Sequence, residues 1–234
     1  MNSFPAGGIA VVIGASGGIG RAVADALESG RHFAEVVCLS RSGTPSLDIT
    51  SEPSIAQAAA DIAARGGALR LVFDATGFLH DDEHQPEKSW TQIDPEHMRK
   101  SFATNAIGPA VLMKHFLPLL SSDGRAVFAT VSAKVGSIGD NELGGWYAYR
   151  AAKAALNQLV KTASVELKRR KPQAICVALH PGTVATGLTG PFDKTGLDVQ
   201  APANAATQLL RMIDALQPGD SGGFLDRFGQ KLPW

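Results

Sequence analysis

The chain has 234 residues, with Lys plus Arg and Asp plus Glu both at 22, so its formal net charge is zero. That length fits one α/β domain over 1–234 with a substantial core, and the charge balance points away from nucleic-acid or anionic-membrane partners. No apolar run is long enough to span a bilayer, Met1–Pro5 does not read as a signal peptide, and Cys38 and Cys176 sit in short apolar runs as buried reduced thiols; the expectation is a soluble cytoplasmic protein.

Ile9–Ile13 is a continuous β-branched run, read as a strand buried on both faces. It ends at Gly14-Ala15-Ser16-Gly17-Gly18-Ile19-Gly20, and an amphipathic helix with Ile19, Val23, Ala26 and Leu27 follows. In that context the glycines allow a tight turn and let backbone N–H groups approach a pyrophosphate at a helix N-terminus. Their spacing, with Gly14, Gly18 and Gly20 as the fixed points, is not the common Gly-x-Gly-x-x-Gly fingerprint. Val36–Ser40 reads as a second buried strand that runs into Arg41 where an acidic residue would accept hydrogen bonds from the ribose of NAD. Leu47-Asp48-Ile49-Thr50 reads as a brief third strand, and Ser51-Glu52-Pro53 starts a helix that stops at Gly66-Gly67.

Leu69–Asp74 reads as the fourth strand, followed by Ala75-Thr76-Gly77 and the segment His80–His84. Two histidines at i, i+4 among carboxylates invite a metal site, but the segment lacks apolar periodicity and precedes Gln85-Pro86, so it reads as a solvated loop and no metal is expected. Asp94 caps the next helix with Pro95 in its first turn; that helix holds Asn105, bends near Gly108-Pro109 and continues to Pro118. Arg125–Val131 is the fifth strand and ends at Ser132, a position that faces ligand in doubly wound sheets. A glycine-rich stretch from Gly136 to Gly145 leads to a long helix running from Trp146 to Lys171, whose basic end offsets the helix dipole. Ala174–Leu179 is the sixth strand and is followed by His180-Pro181-Gly182-Thr183-Val184-Ala185-Thr186. Gly187–Leu197 reads as a mobile loop, Pro202 opens a helix through Ile213, and Gly222-Gly223-Phe224-Leu225 begins a last short strand.

Tyr149 and Lys153 are spaced to share one face of the long helix. A tyrosine titrates near pH ~10, and an ammonium roughly 5 Å away at an effective dielectric of about 20 is worth roughly 3 kcal/mol. That corresponds to about two pKa units downward, which makes the phenol a proton donor at neutral pH.

Together these segments resemble the short-chain dehydrogenase/reductase family over essentially the whole chain. The turn Gly14, Ser16, Gly18, Ile19 and Gly20 is similar to that family's cofactor turn. Asn105, Ser132, Tyr149 and Lys153 resemble its catalytic residues in order and context, and Pro181, Gly182, Val184 and Thr186 resemble its cofactor loop. Within the family, Val135–Asn141 and the ending from Gly222 to Trp234 resemble a branch of C-factor-like and Sniffer-like carbonyl reductases. Two departures stand out: Asp74-Ala75-Thr76-Gly77 replaces Asn-Asn-Ala-Gly, and the interval from Ser132 to Tyr149 is longer than is common.

The resemblance implies a Rossmann-type doubly wound parallel sheet of about seven strands with helices on both faces. It also implies NAD(P)H-dependent reduction of an aldehyde, ketone or quinone. Tyr149 would donate the proton, Lys153 would assist it and hold the cofactor ribose, Ser132 would hold the carbonyl oxygen, and Asn105 would hold a relay water. Ser40 and Arg41 point to NADPH over NADH, because a guanidinium can grip a 2′-phosphate; Asp48, Ile49, Ala75, Thr76 and Gly77 would lie along the cofactor. The substrate pocket is expected between Val135–Trp146 and Thr189–Leu197. Apolar residues such as Phe102, Leu112, Met113 and Phe116 point to a homodimer, with a tetramer as the other assembly. A dinucleotide-bound signalling protein with secondary turnover is the alternative reading.

Overall fold

The computed structural model describes all residues except 191–195 and 197. Six parallel strands form the main sheet: β1 (Ile9–Ile13), β2 (Glu35–Leu39), β3 (Leu69–Asp74), β4 (Ala126–Val131), β5 (Ala174–His180) and, last in sequence, β8 (Phe224–Asp226). They are ordered β2-β1-β3-β4-β5-β8, and a separate two-stranded piece pairs β6 (Thr183–Val184) with β7 (Val199–Gln200). The apolar runs of β1, β3, β4 and β5 are buried because helices cover both sheet faces. α2 (Glu52–Ala64), α4 (Gly108–Phe116) and α5 (Tyr147–Arg170) pack on one face; α1 (Gly18–Gly30) and α6 (Pro202–Ala215) pack on the other. The strand order reverses at β1, so the crevice between the C-terminal ends of β1 and β3 is where such a sheet receives ligands.

The helix starts follow local chemistry. Ser51 Oγ accepts from Ser54 N at 3.4 Å at the start of α2. Asp94 Oδ1 accepts from Glu96 N at 3.0 Å at the start of α3 (Pro95–Phe102), with Pro95 in the first turn as expected. The bend expected at Gly108-Pro109 begins earlier: Ala103–Ile107 form a π-turn between α3 and α4, and Asn105 lies within it. Such turns bend a helix and often mark functional positions.

Three expectations need correction. Leu47–Thr50 is not a strand; only Ser46 bridges Ser40, because Asp48 Oδ1 accepts from Thr50 N (2.9 Å) and Thr50 Oγ1 (2.7 Å) and folds the segment into a turn before α2. The main sheet accordingly has six strands, close to the expected count of about seven, with the two-stranded piece beside it. β2 is an edge strand, so it and Cys38 are half-buried, whereas Cys176 is fully buried and both thiols are free. Leu112, Met113 and Phe116, expected to face a second chain, are buried in the chain's own core between α4 and the sheet. Most of the loop expected over Gly187–Leu197 lies outside the described residues. No helix among the described residues is long and apolar enough to cross a membrane.

Candidate active site

The glycine turn is built by two tight contacts. Gly14 has φ +79, a conformation that side chains rarely adopt, and its N–H donates to Leu39 O at 2.8 Å, tying the turn to the end of β2. A Cβ on Gly20 would sit 2.2 Å from Gly14 O, so only glycine lets α1 start this close to the turn. The first turn of α1 has Gly17 as N-cap with no side-chain cap and no acidic residue. Its N–H groups and the positive end of its dipole are thus available to an anion. A Cβ on Gly18 would lie 2.7 Å from Thr186 Cγ2, which places the post-β5 segment directly against the turn. Ser16 is exposed and Ile19 half-buried beside it. Ala75 N donates to Ile13 O at 2.9 Å and brings Ala75, Thr76 and Gly77 to the same crevice. Pro181 and Val184 are buried, Gly182 has φ +76, and Gln200 Nε2 donates to Pro181 O at 2.7 Å, anchoring that segment. An uncapped helix N-terminus, a turn that excludes side chains and a crevice walled on both sides fit the pyrophosphate and ribose of a dinucleotide.

Ser40 is buried at the end of β2, and Arg41 is exposed on the following turn, which is closed by Ser46 Oγ donating to Arg41 O at 3.0 Å. The Asp48 carboxylate is engaged by Thr50, whose hydrogen bonds hold it below the usual carboxylate range. Ile49 is buried against the start of α4.

Ser132 follows β4, Lys153 reaches the last residue of β4, and Tyr149 stands one turn before Lys153 on α5; all three are buried. Ser132 N donates to Leu179 O at 2.8 Å, fixing the residue after β4. Lys153 Nζ lies 5.8 Å from the Tyr149 ring centroid and donates to Val131 O at 2.8 Å. Trp146 meets the Tyr149 ring edge-on at 6.2 Å. The expected lowering of the Tyr149 pKa by Lys153 is not found: burial pushes the phenol well above its ordinary value. The cost of placing a phenolate in apolar surroundings outweighs an ammonium that is itself buried and turned toward Val131. Burial instead lowers Lys153 to about 8, with the Asp74 carboxylate pulling the other way.

Asn105 lies in the π-turn between α3 and α4, and its side chain is engaged by the segment after β3 and by α3. Its Oδ1 accepts from Phe78 N at 3.0 Å, and its Nδ2 donates to Phe78 O at 2.7 Å and Ser101 Oγ at 3.1 Å. The amide therefore clamps the segment after β3, which the resemblance did not foretell.

Three residues outside the expected set complete the site. Asp74 is fully buried; its Oδ1 accepts from Thr76 N (3.0 Å) and Thr76 Oγ1 (2.6 Å), and its Oδ2 accepts from Thr130 Oγ1 (2.7 Å). Burial raises its pKa, and these donors oppose that rise. Glu87 is buried and caps α5, which has no side-chain cap at its own N-cap Trp146: Ala148 N donates to Glu87 Oε1 at 3.2 Å. A carboxylate there complements the helix dipole under Tyr149. Asn157 Oδ1 accepts from Ser132 Oγ at 2.7 Å. The departure at Asp74 was visible as an acid where an amide is usual, but nothing local marks Glu87 as the cap of a helix that begins some sixty residues later. The segment containing His80 and His84 is less solvated than expected, because the His84 ring packs at a tilt, 5.3 Å from the buried His97 ring. Among the described residues, no group of three His, Cys, Asp or Glu could hold a metal ion.

Residues 14–225 match the family described as enoyl-(acyl carrier protein) reductase. The chain is 34% identical over 190 residues to 1-hydroxy-2-glutathionyl-2-methyl-3-butene dehydrogenase of Rhodococcus sp. (strain AD45), covering 81% of this chain and 79% of that one. It is 38% identical over 143 residues to C-signal of Myxococcus xanthus, covering 61% of this chain and 81% of that protein. Its fold superposes with a TM-score of 0.85, at 26% identity, on the NADPH-bound carbonyl reductase from chicken fatty liver, covering 99% of this chain and 100% of that one. With the glycine turn, the doubly wound sheet and this match over nearly its whole length, the chain belongs to the short-chain dehydrogenase/reductase family of oxidoreductases.

Proposed function

We propose that the protein is an NADPH-dependent carbonyl reductase acting on a small aldehyde, ketone or quinone. The observation that carries this reading is the convergence of Ser132, Tyr149 and Lys153 beside a crevice that fits a dinucleotide. When bound, the dinucleotide supplies the hydride. The N–H groups at the start of α1 and the Gly14–Gly20 turn hold its pyrophosphate, with Thr186 across from them and Ala75–Gly77 along one wall. Lys153 is placed to hold a ribose hydroxyl and to keep positive charge over the Tyr149 ring. Ser132 orients the carbonyl oxygen and stabilises its growing charge, and Tyr149 Oη gives it a proton. Burial keeps the phenol protonated at neutral pH, the form that reduction needs. Asn105 holds the segment after β3 in place through Phe78 and Ser101, and its Oδ1 keeps a second lone pair for a water that relays protons to Lys153.

Turnover with NADPH on aldehydes, ketones, quinones and a 2-enoyl thioester tests this reading. Reduction of the carbonyl panel is the expected result, and turnover confined to the enoyl thioester would replace it with carbon–carbon double-bond reduction. The similarity to C-signal favours a second reading, a signalling protein whose turnover is secondary. A Tyr149→Phe variant that keeps its biological effect without turnover would select it.

The cofactor preference should follow Arg41. A guanidinium at the end of β2, with no acid at Ser40 or Arg41, suits a 2′-phosphate. Charge-assisted hydrogen bonds contribute roughly 1.5–3 kcal/mol, so NADPH should bind about tenfold to a hundredfold tighter than NADH. Arg41→Ala should erase most of that difference and leave NADH binding little changed. Equal dissociation constants in the wild-type protein would reject the assignment.

The assembly we propose is a homodimer. Ile107 and Val165, on the helices that flank the sheet, remain exposed, and Leu117, Leu159 and Ala163 are only partly buried along the same side. A second copy would cover them. Sedimentation at micromolar concentration should show a dimer or tetramer, and monomer alone would exclude it.

A further inference from the structure

Tyr149, Lys153 and Asn157 recur at one-turn intervals on α5 and so share the face turned toward the site. Asn157 is 2% exposed and Ser132 is 2% exposed. As the amide is oriented, the Ser132 hydroxyl donates to Asn157 Oδ1 at 2.7 Å, while Asn157 Nδ2 is buried with no hydrogen-bond partner among the described residues. Two difficulties arise together. A buried N–H donor is left unpaired, where buried polar groups are as a rule hydrogen-bonded. A serine hydroxyl has one proton, and a proton given to Asn157 is not available to a carbonyl oxygen that is gaining negative charge. Turning the amide by half a rotation exchanges its oxygen and nitrogen, two atoms that heavy-atom positions barely distinguish. Nδ2 then faces Ser132 Oγ as a donor, and the Ser132 proton is released toward the crevice.

We propose that Asn157 is a positioning residue that acts through Ser132, holding Oγ with its amide N–H so that the hydroxyl proton points at the reacting carbonyl oxygen. This rests on the reading of Ser132 as the carbonyl-oxygen donor, and the two can be tested apart.

The test is a double-mutant cycle on the full chain, with NADPH and any carbonyl substrate accepted in the panel above. Ser132→Ala should lower kcat by about a hundredfold; no loss would overturn the role of Ser132 and this proposal with it. Asn157→Leu should lower kcat by about tenfold, a magnitude typical of residues sharing one hydrogen bond, with the NADPH dissociation constant within about twofold. In the Ser132→Ala background the same change should cost nothing further, because its target is gone. A full additional loss in that background, after Ser132→Ala has itself shown its effect, would overturn the role of Asn157 alone. Neutron diffraction of the wild-type protein with NADPH bound reads the amide directly and does not depend on the variant folding. Nitrogen facing Ser132 Oγ is expected, and oxygen facing it would reject the proposal.

Discussion

Tyr149→Phe is expected to lower kcat for carbonyl reduction by about two to four orders of magnitude and to leave NADPH binding within about twofold. Phenylalanine keeps the ring that packs edge-on against Trp146 and lies beneath the Lys153 ammonium, so only the hydroxyl is lost. The nearby Tyr147 is the internal control. It is half-buried, and the residue one turn on is Ala151, which offers no charge. Tyr147→Phe should keep kcat near that of the wild type. Equal losses in the two variants would show that the assay reports helix packing rather than proton transfer. The burial of Tyr149 adds a second expectation: because its pKa is raised, the phenol should stay protonated throughout the working range, and any titration seen near neutral pH must come from another group.

The sheet was legible wherever the sequence carried a continuous apolar run. β1, β3, β4 and β5 lie where the β-branched stretches predict, since burial on both faces leaves little choice of residue. Leu47–Thr50 misled because two apolar residues around Asp48 resemble a short strand, while the decisive interaction is a side-chain hydrogen bond from Thr50 that closes a turn. The glycine turn and the Tyr149–Lys153 pair could be read from spacing alone, because both depend on local geometry. Their electrostatics could not. Tyr149 and Lys153 have the expected separation, yet the sign of the phenol's shift is set by how much water the surrounding elements exclude, and that is a property of the whole fold. Glu87 and Asn157 were silent for a related reason. Glu87 meets Ala148, and Asn157 meets Ser132, only after β3, β4 and α5 have packed together.

Lys153→Met is expected to lower kcat/KM by about a hundredfold or more, and the pH dependence of the wild-type protein should identify its charged form as the active one. Methionine nearly matches the length of the lysine stem but removes the hydrogen bond to Val131 O and the positive charge over the Tyr149 ring. In the wild type, burial lowers Lys153 to about 8. A group with that value is an ammonium below pH 8 and a neutral amine above it, so kcat/KM should fall as pH rises through about 8. Tyr149 is shifted the opposite way and does not contribute to that limb. Asp74 opposes the loss of charge, because its carboxylate attracts the buried ammonium. Asp74→Asn keeps an acceptor for Thr76 N and gives Thr130 Oγ1 a donor in place of an acceptor, so the turn after β3 should survive. Without the negative charge, Lys153 gives up its proton more readily, and the alkaline limb should move toward neutral pH. Profiles of kcat/KM over about pH 6–10 for the wild type, Asp74→Asn and Lys153→Met distinguish the outcomes. A wild-type profile that is flat through this range would remove Lys153 as the titrating group, and a limb left in place by Asp74→Asn would show that the Asp74 carboxylate does not hold its charge.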